Sequence, residues 1–207
     1  MEIKTSNRVA KPGVRGRPRE FDVGDALDKA ISVFCERGFH GASIEDLSAT
    51  MTLTVGSIYK AFKDKRGIFL AALDRHNAMR DSQLRDAVAP ARSGRDRLRA
   101  ALLFYVDLSH GSVGKSGCLM IASAMELASS EPEVAARASD LLRRRETYVN
   151  TLLEQGQRDG SISPSVDRKG ASHMIVCILQ GMRVVGKTGS SRRDLLGAVE
   201  AVMKSLH

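Results

Sequence analysis

Residues 42–65, ASIEDLSATMTLTVGSIYKAFKDK, compress two short helices and a tight connection into the spacing of a helix-turn-helix. Ser43 stands three residues before Asp46, and apolar residues recur at Ile44, Leu47 and Met51. A hydroxyl followed three positions later by a carboxylate fits a capping box, in which each side chain satisfies a backbone N–H that the first helical turn leaves unpaired. After the connection from Met51 to Leu53, Thr54 is placed to cap a second helix. In that helix Ile58 and Phe62 lie four apart and face inward, which leaves Val55, Ser57, Tyr59 and Lys60 outward. A helix enters the DNA major groove only if its leading face is slim, and Gly56 and Ser57 supply that slimness. Upstream, Leu27, Ala30, Ile31 and Phe34 repeat at helical spacing between Asp22 and Phe39, and Gly38 follows the last turn. A supporting helix therefore precedes the pair, and the three-helix layout implies DNA binding.

Within residues 26–70, the runs AISVFCERGFHGASIEDLSA and GSIYKAFKDKRGIFL resemble the N-terminal domain of the tetracycline-repressor (TetR) family. The sequence departs from the family pattern at Thr52, where glycine is usual, and at Gly67, where an acidic residue or another helix former is common. The resemblance implies an all-α regulator with a basic arm at 1–19, a helix-turn-helix domain at 20–66 and a helical ligand-binding and dimerisation domain at 67–207. It implies a homodimer on a pseudo-palindromic double-stranded DNA operator, released by a small-molecule effector of unknown identity. Glu45, Val55, Gly56, Ser57 and Lys60 are the candidates for base edges, with Lys60 able to reach guanine and Glu45 able to accept from cytosine. Ser43, Thr54, Tyr59 and Lys65 are the candidates for phosphates.

Charge distribution supports an anionic partner. The 207 residues carry a formal charge of +8, and residues 1–19 hold Lys4, Arg8, Lys11, Arg15, Arg17 and Arg19 against Glu2. Pro12 and Pro18 argue against helix there, and Arg15, Arg17 and Arg19 are candidates for an adjacent A·T-rich minor groove. A hydrophobic fraction of 43% is ample for a core. No apolar run is long enough for a bilayer, and three cysteines without metal-ligand spacing fit a reducing compartment, so the expectation is a cytoplasmic protein with no membrane partner, metal or cofactor.

Beyond Lys65 the helical rhythm continues, to about nine helices and no strand pattern. Breaks fall at Ala89–Gly94, His110–Gly114, Ser129–Ser130 and Asp159–Gly160, and Pro132 opens a long helix. The last two segments, from Asp167 and from Ser191, offer Ile178, Gly181, Leu195, Val199 and Val202 as dimer contacts, because their apolar stripes exceed the needs of one subunit. In the resemblance reading the central helices enclose a pocket, with Phe104, Leu108, Cys118, Met120, Met125, Tyr148, Met174 and Met182 as candidate lining. His76, His110, Glu126 and His173 are the polar groups most able to orient a ligand. Cys118 follows Lys115-Ser116-Gly117 at a helix start, where a thiol could serve as an oxidant or electrophile sensor. Residues 181–188, GMRVVGKT, match the phosphate-loop expression by letter, but Met, Arg and Val are poor loop residues and helical spacing runs through Met182. With no other catalytic motif present, the chain is not expected to be an enzyme.

Overall fold

The computed structural model describes residues 21–207, so the arm with Arg15, Arg17 and Arg19 lies outside the described residues. The chain is all-α, as expected. Three helices open it: α1 (Val23–Gly41), α2 (Ile44–Met51) and α3 (Val55–Phe62). Next come α4 (Lys65–Val88), α5 (Gly94–Leu108), α6 (Gly111–Ser116) and α7 (Leu119–Leu127), followed by α8 (Pro132–Arg158), α9 (Arg168–Lys187) and α10 (Arg192–Lys204). Ten helices among the described residues exceed the expected nine by α6. Glycine and serine at 111–114 read as a break, yet Gly114 N–H donates to His110 O (3.0 Å) and the run closes a short helix.

Helix starts are set by side-chain oxygens. Asp22, Ser43, Thr54, Asp64, Ser93, Asp167 and Ser191 each accept from a backbone N–H in the first turn that follows. Pro132 opens α8 without such a bond, its fixed φ being suited to the first helical position.

Two apolar clusters divide the interior. One joins α1, α2, α3 and the first half of α4 to α7 and the start of α8, with Phe34, Leu47, Ile58, Phe69 and Leu119 at its centre. Phe34, Phe39 and Phe69 meet there, Phe69 edge-on to both others at centroid distances of 5.2 and 5.0 Å. The other joins the end of α4 to α5, α9, α10 and the rest of α8. A boundary drawn between residues 66 and 67 falls in the first turn of α4, a helix common to both clusters.

Both departures from the family pattern have structural consequences. Thr52 caps α2 in the left-handed region (φ 59°, ψ 42°), where a β-branched residue is strained. Gly67 sits so close to the end of α3 that a Cβ would lie 2.0 Å from the Phe62 carbonyl oxygen. Thr52→Gly is therefore expected to raise stability by about 1 kcal/mol. Gly67→Ala is expected to lower it by about 2 kcal/mol through forced backbone displacement. Thermal or denaturant unfolding of the two variants checks both signs.

Candidate functional site

Hydrogen bonds fix the helix-turn-helix from both ends. Ser43 Oγ accepts from Asp46 N–H and Asp46 Oδ2 accepts from Ser43 N–H, both at 3.0 Å, completing the capping box. Asp46 also meets Arg37 at 2.7 Å, and these contacts hold its carboxyl below the usual range, the Ser43 N–H contributing most. In the turn, Ser48 Oγ–H donates to Leu53 O (2.6 Å) and Leu53 N–H to Ser48 O (3.1 Å). Thr54 Oγ1 then accepts from Ser57 N–H at 3.2 Å. Ile58 is fully buried, so the direction of α3 is set by the core.

Glu45, Thr54, Val55, Gly56, Tyr59 and Lys60 are exposed on the opposite side, with Ser43 and Ser57 half-buried among them. Lys65 does not join this face. Its ammonium donates to Phe39 O (2.9 Å) and Ala42 O (3.0 Å) and lies 4.6 Å from the Phe39 ring centroid. This lysine ties α4 to the end of α1, and its assignment to a phosphate is corrected accordingly.

Charged contacts add to the apolar packing that joins the head to the body. Glu126 of α7 accepts from Phe39 N–H (3.0 Å) and His40 N–H (2.9 Å) beside Gly38, whose φ of 72° breaks the α1 geometry and opens those amides. Glu126 is therefore a latch on α1 and not a ligand-orienting group. Arg66 reaches Glu131 (3.2 Å) and Glu133 (2.7 Å) at the start of α8, and Arg75 binds Asp28 of α1 through two nitrogens (2.7 and 2.5 Å).

Above the head a small cavity of about 30 Å³ adjoins an open cleft of about 630 Å³, and His76 and Arg80 line both. Of the pocket candidates, Phe104, Leu108, Cys118 and Met120 line the cavity. Met125 does not, being 78% exposed on α7. Met174 is exposed on α9, Met182 is buried in the second apolar cluster, and Tyr148 lines a separate surface groove with Arg144 and Thr151. Helical spacing identified a face of each helix but not what covers it. His110 and His173 are also remote, lying beside Asp107 (3.7 Å) and Glu146 (3.6 Å). His76, 3% exposed, does line the cavity, 3.9 Å from Cys118 Sγ. Sequence reasoning missed Arg80, Arg145 and Arg183, which share that cavity.

The dimer candidates divide in the same way. Leu195, Val199 and Val202 are buried in the subunit's own second cluster and are withdrawn as interface residues. Gly181 is exposed and Ile178 half-buried on α9. Residues 181–188 form the end of α9 and its cap, whose backbone amides are committed to helical bonds. A Cβ on Gly186 would lie 2.2 Å from Ser109 O, so that glycine serves close packing against the end of α5. No described helix is long and apolar enough to cross a membrane, and no group of three or more described His, Cys, Asp or Glu residues is placed to hold a metal.

A capped helix pair with an outward second helix, joined by one shared helix to a larger helical body, defines a helix-turn-helix DNA-binding regulator. Residues 26–72 match the model of bacterial regulatory proteins of the tetR family, and residues 94–202 match the tetracyclin repressor-like C-terminal domain. The chain belongs to the TetR family of transcriptional regulators, which is not an enzyme family. It is 28% identical over 186 residues to the HTH-type transcriptional repressor ComR of Escherichia coli (strain K12), covering 88% of this chain and 87% of the relative. It is 33% identical over 116 residues to the transcriptional activator FasR of Mycolicibacterium smegmatis, covering 55% and 53% of the two chains. Among solved structures, a cysteine mutant of the TetR family regulator CifR, complexed with a 26bp double-strand operator DNA, matches with a TM-score of 0.80 and 28% identity. That match covers 91% of this chain and 98% of the other.

His76 gives the cavity a pH signature. Burial, assisted by Arg80 and Arg183, pushes its imidazole from 6.5 down to about 4, so the folded protein holds it neutral where the unfolded chain protonates it. The unfolded state then binds the extra proton between these values, and stability contributed above pH 6.5 is lost as pH falls toward 4. The loss is on the order of 3 kcal/mol. Denaturant unfolding across this range is expected to show the slope in the native protein and a flatter profile in His76→Gln.

Proposed function

We propose that this chain is a dimeric, ligand-responsive transcriptional repressor that acts in the cytoplasm, binds a pseudo-palindromic operator and is released by a small molecule held in its body. Gly56 carries the DNA-facing part of this reading. A Cβ there would meet nothing closer than Thr54 Oγ1 at 4.0 Å, yet glycine within a helix costs about 1 kcal/mol relative to alanine. Internal packing makes no demand for a bare position, whereas a helix drawn close to base edges does. Val55, Ser57, Lys60 and Glu45 flank it for base contacts, and Ser43, Thr54 and Tyr59 are placed for phosphates. The named repressor ComR, matched along most of both chains, favours repression over the activation named for FasR.

Two recognition helices roughly 34–36 Å apart would enter successive major grooves. A ligand that favours a different setting of α4 would change that spacing and weaken DNA binding by its differential affinity for the two arrangements. Dimerisation is supported by a stripe of Met174, Cys177, Ile178, Gly181, Val184 and Val185 along α9 and by the exposed small residues Gly197 and Ala201 on α10. Side chains added at Gly181 or Gly197 would meet nothing within 4 Å, which leaves room for close approach of a second helix pair.

One observation favours a thiol-sensing version of the same regulator. Cys118 caps α7 without a side-chain capping bond, and its sulfur lies at the cavity, 3.9 Å from His76 Nε2. Cys35, by contrast, is pushed up to about 11 by burial and stays an unreactive thiol. Alkylation confined to Cys118 is expected to weaken operator binding in this version, and unchanged binding by the modified protein removes it.

In vitro selection from random duplex DNA, without added ligand, is expected to enrich a two-fold symmetric site; enrichment of none would defeat the operator reading. Against that site Lys60→Ala is expected to lose about 1–3 kcal/mol and to relax preference at one position per half-site. An equal loss on random DNA would assign Lys60 to phosphate. Gly181→Arg is expected to keep its helical circular dichroism while raising the dimer dissociation constant at least about 100-fold. Sedimentation of an unchanged dimer would place the interface elsewhere.

A further inference from the structure

Unpaired buried polar atoms in this protein are concentrated at one place. Five are present among the described residues, and three of them, His76 Nδ1, Arg145 Nε and Arg183 Nη1, belong to side chains that line the 30 Å³ cavity. Buried polar groups normally find partners, so three unpaired polar atoms around one cavity leave hydrogen-bonding capacity there that a polar ligand can use. The charge is as lopsided as the hydrogen bonding. Arg80, Arg145 and Arg183 line the cavity with no carboxylate among its walls, and only Arg145 has an acidic partner, Asp81, among the described residues. Arg183 is 3% exposed and spends one nitrogen on Gly117 O (2.5 Å), a neutral acceptor. Arg80 donates to Gln83 (2.9 Å), also neutral. Two guanidiniums held close together without a counter-charge are costly, and the cost is removed by an anion. Burial, followed by the neighbouring Arg183, lowers the Arg80 pKa, which registers the same imbalance.

We propose that this cavity binds a small organic carboxylate, whose head is held by Arg183, Arg80 and His76 and whose apolar body extends into the adjoining cleft. The small size of the cavity favours a planar carboxylate over a bulkier tetrahedral phosphate. The cleft supplies an apolar wall at Ile31, Met79 and Val113. Its acidic residues do not compete for the head: Asp28 is paired with Arg75, and Glu36 lines the cleft but not the cavity. The ligand would touch α1 of the DNA-binding head and α4, α6 and α9 at once. The assignment rests on the ligand-responsive reading for its regulatory meaning, but binding itself can be tested alone.

The test uses the full chain and the straight-chain carboxylates from acetate to decanoate, with their primary amides and inorganic phosphate as controls at matched ionic strength. At saturation at least one carboxylate is expected to raise the Tm by about 5 °C or more, with its amide and phosphate inactive. Arg80→Met and Arg183→Met are expected to abolish the shift. Ligand-free Arg183→Met should melt no lower than the native protein, because it removes a buried charge; a merely structural arginine would lower the Tm. Arg80, half-buried, provides the same test of the ligand shift if Arg183→Met fails to fold. Equal shifts from acid and amide, a shift from phosphate alone, no shift from any carboxylate, or a shift that survives both substitutions overturns the proposal. Operator affinity of the same samples separates the two readings: a carboxylate that binds through these arginines yet leaves operator affinity unchanged supports the site and defeats its effector role.

Discussion

Helix α4 has to satisfy two cores on one rigid rod. Ile68, Phe69, Ala72 and Leu73 bury into the cluster that contains the DNA-binding head, and Leu84 and Val88 bury into the cluster of α5, α9 and α10. Between them the buried side of the helix changes partners, and there stand the polar residues His76 and Asn77, both buried. A helix carries side chains in every direction with a 3.6-residue period, so a change of partner along its length must pass through positions that fit neither core fully. The cavity lies at that transition, with His76, Asn77 and Arg80 contributed by successive turns of α4. Polar side chains and an irregular space thus follow from joining two apolar clusters through one continuous helix.

The same constraint explains why some parts of the fold were legible in sequence and others were not. Helix starts were plain, because Ser43, Thr54 and Ser191 cap with side chains three positions from their targets. The recognition face was equally local, since burial of Ile58 leaves its neighbours outward. What covers an apolar stripe is not local. Leu195, Val199 and Val202 form a stripe that either this subunit or a second copy could cover, and packing by α5 and α9 decides it. Met125 and Met174 read as pocket lining by residue type and lie on the outside. Lys65 follows the recognition helix in sequence, but the return of α1 places two carbonyls within its reach.

The arginine cluster did leave a trace. On α8 the stripe Val134, Ala138, Leu141, Val149 and Leu152 is interrupted at Arg145, and on α9 the stripe Ile175, Val176, Leu179 and Met182 runs into Arg183. A cation placed on the buried face of an amphipathic helix contradicts its surroundings and calls for a partner. Each interruption is visible in one dimension. Their convergence is not, because Arg80, Arg145 and Arg183 come from three different helices, α4, α8 and α9.

The way the head is attached gives the proposed coupling between cavity and DNA-binding surface a physical route. The first apolar cluster runs from α1 into α7 and α8, and Glu126 grips the amides of Phe39 and His40 from α7. Arg66 and Arg75 add ionic ties from α4 to α8 and α1. The head is therefore part of the first cluster's packing and is not hung from it by a linker. Dense packing resists gradual deformation, so an insertion at the cleft between α1, α4, α6 and α9 is accommodated by moving whole helices. Because α1 both walls the cleft and packs against α2, the proposed effector would have a contiguous path of side chains from the cleft to the recognition helix.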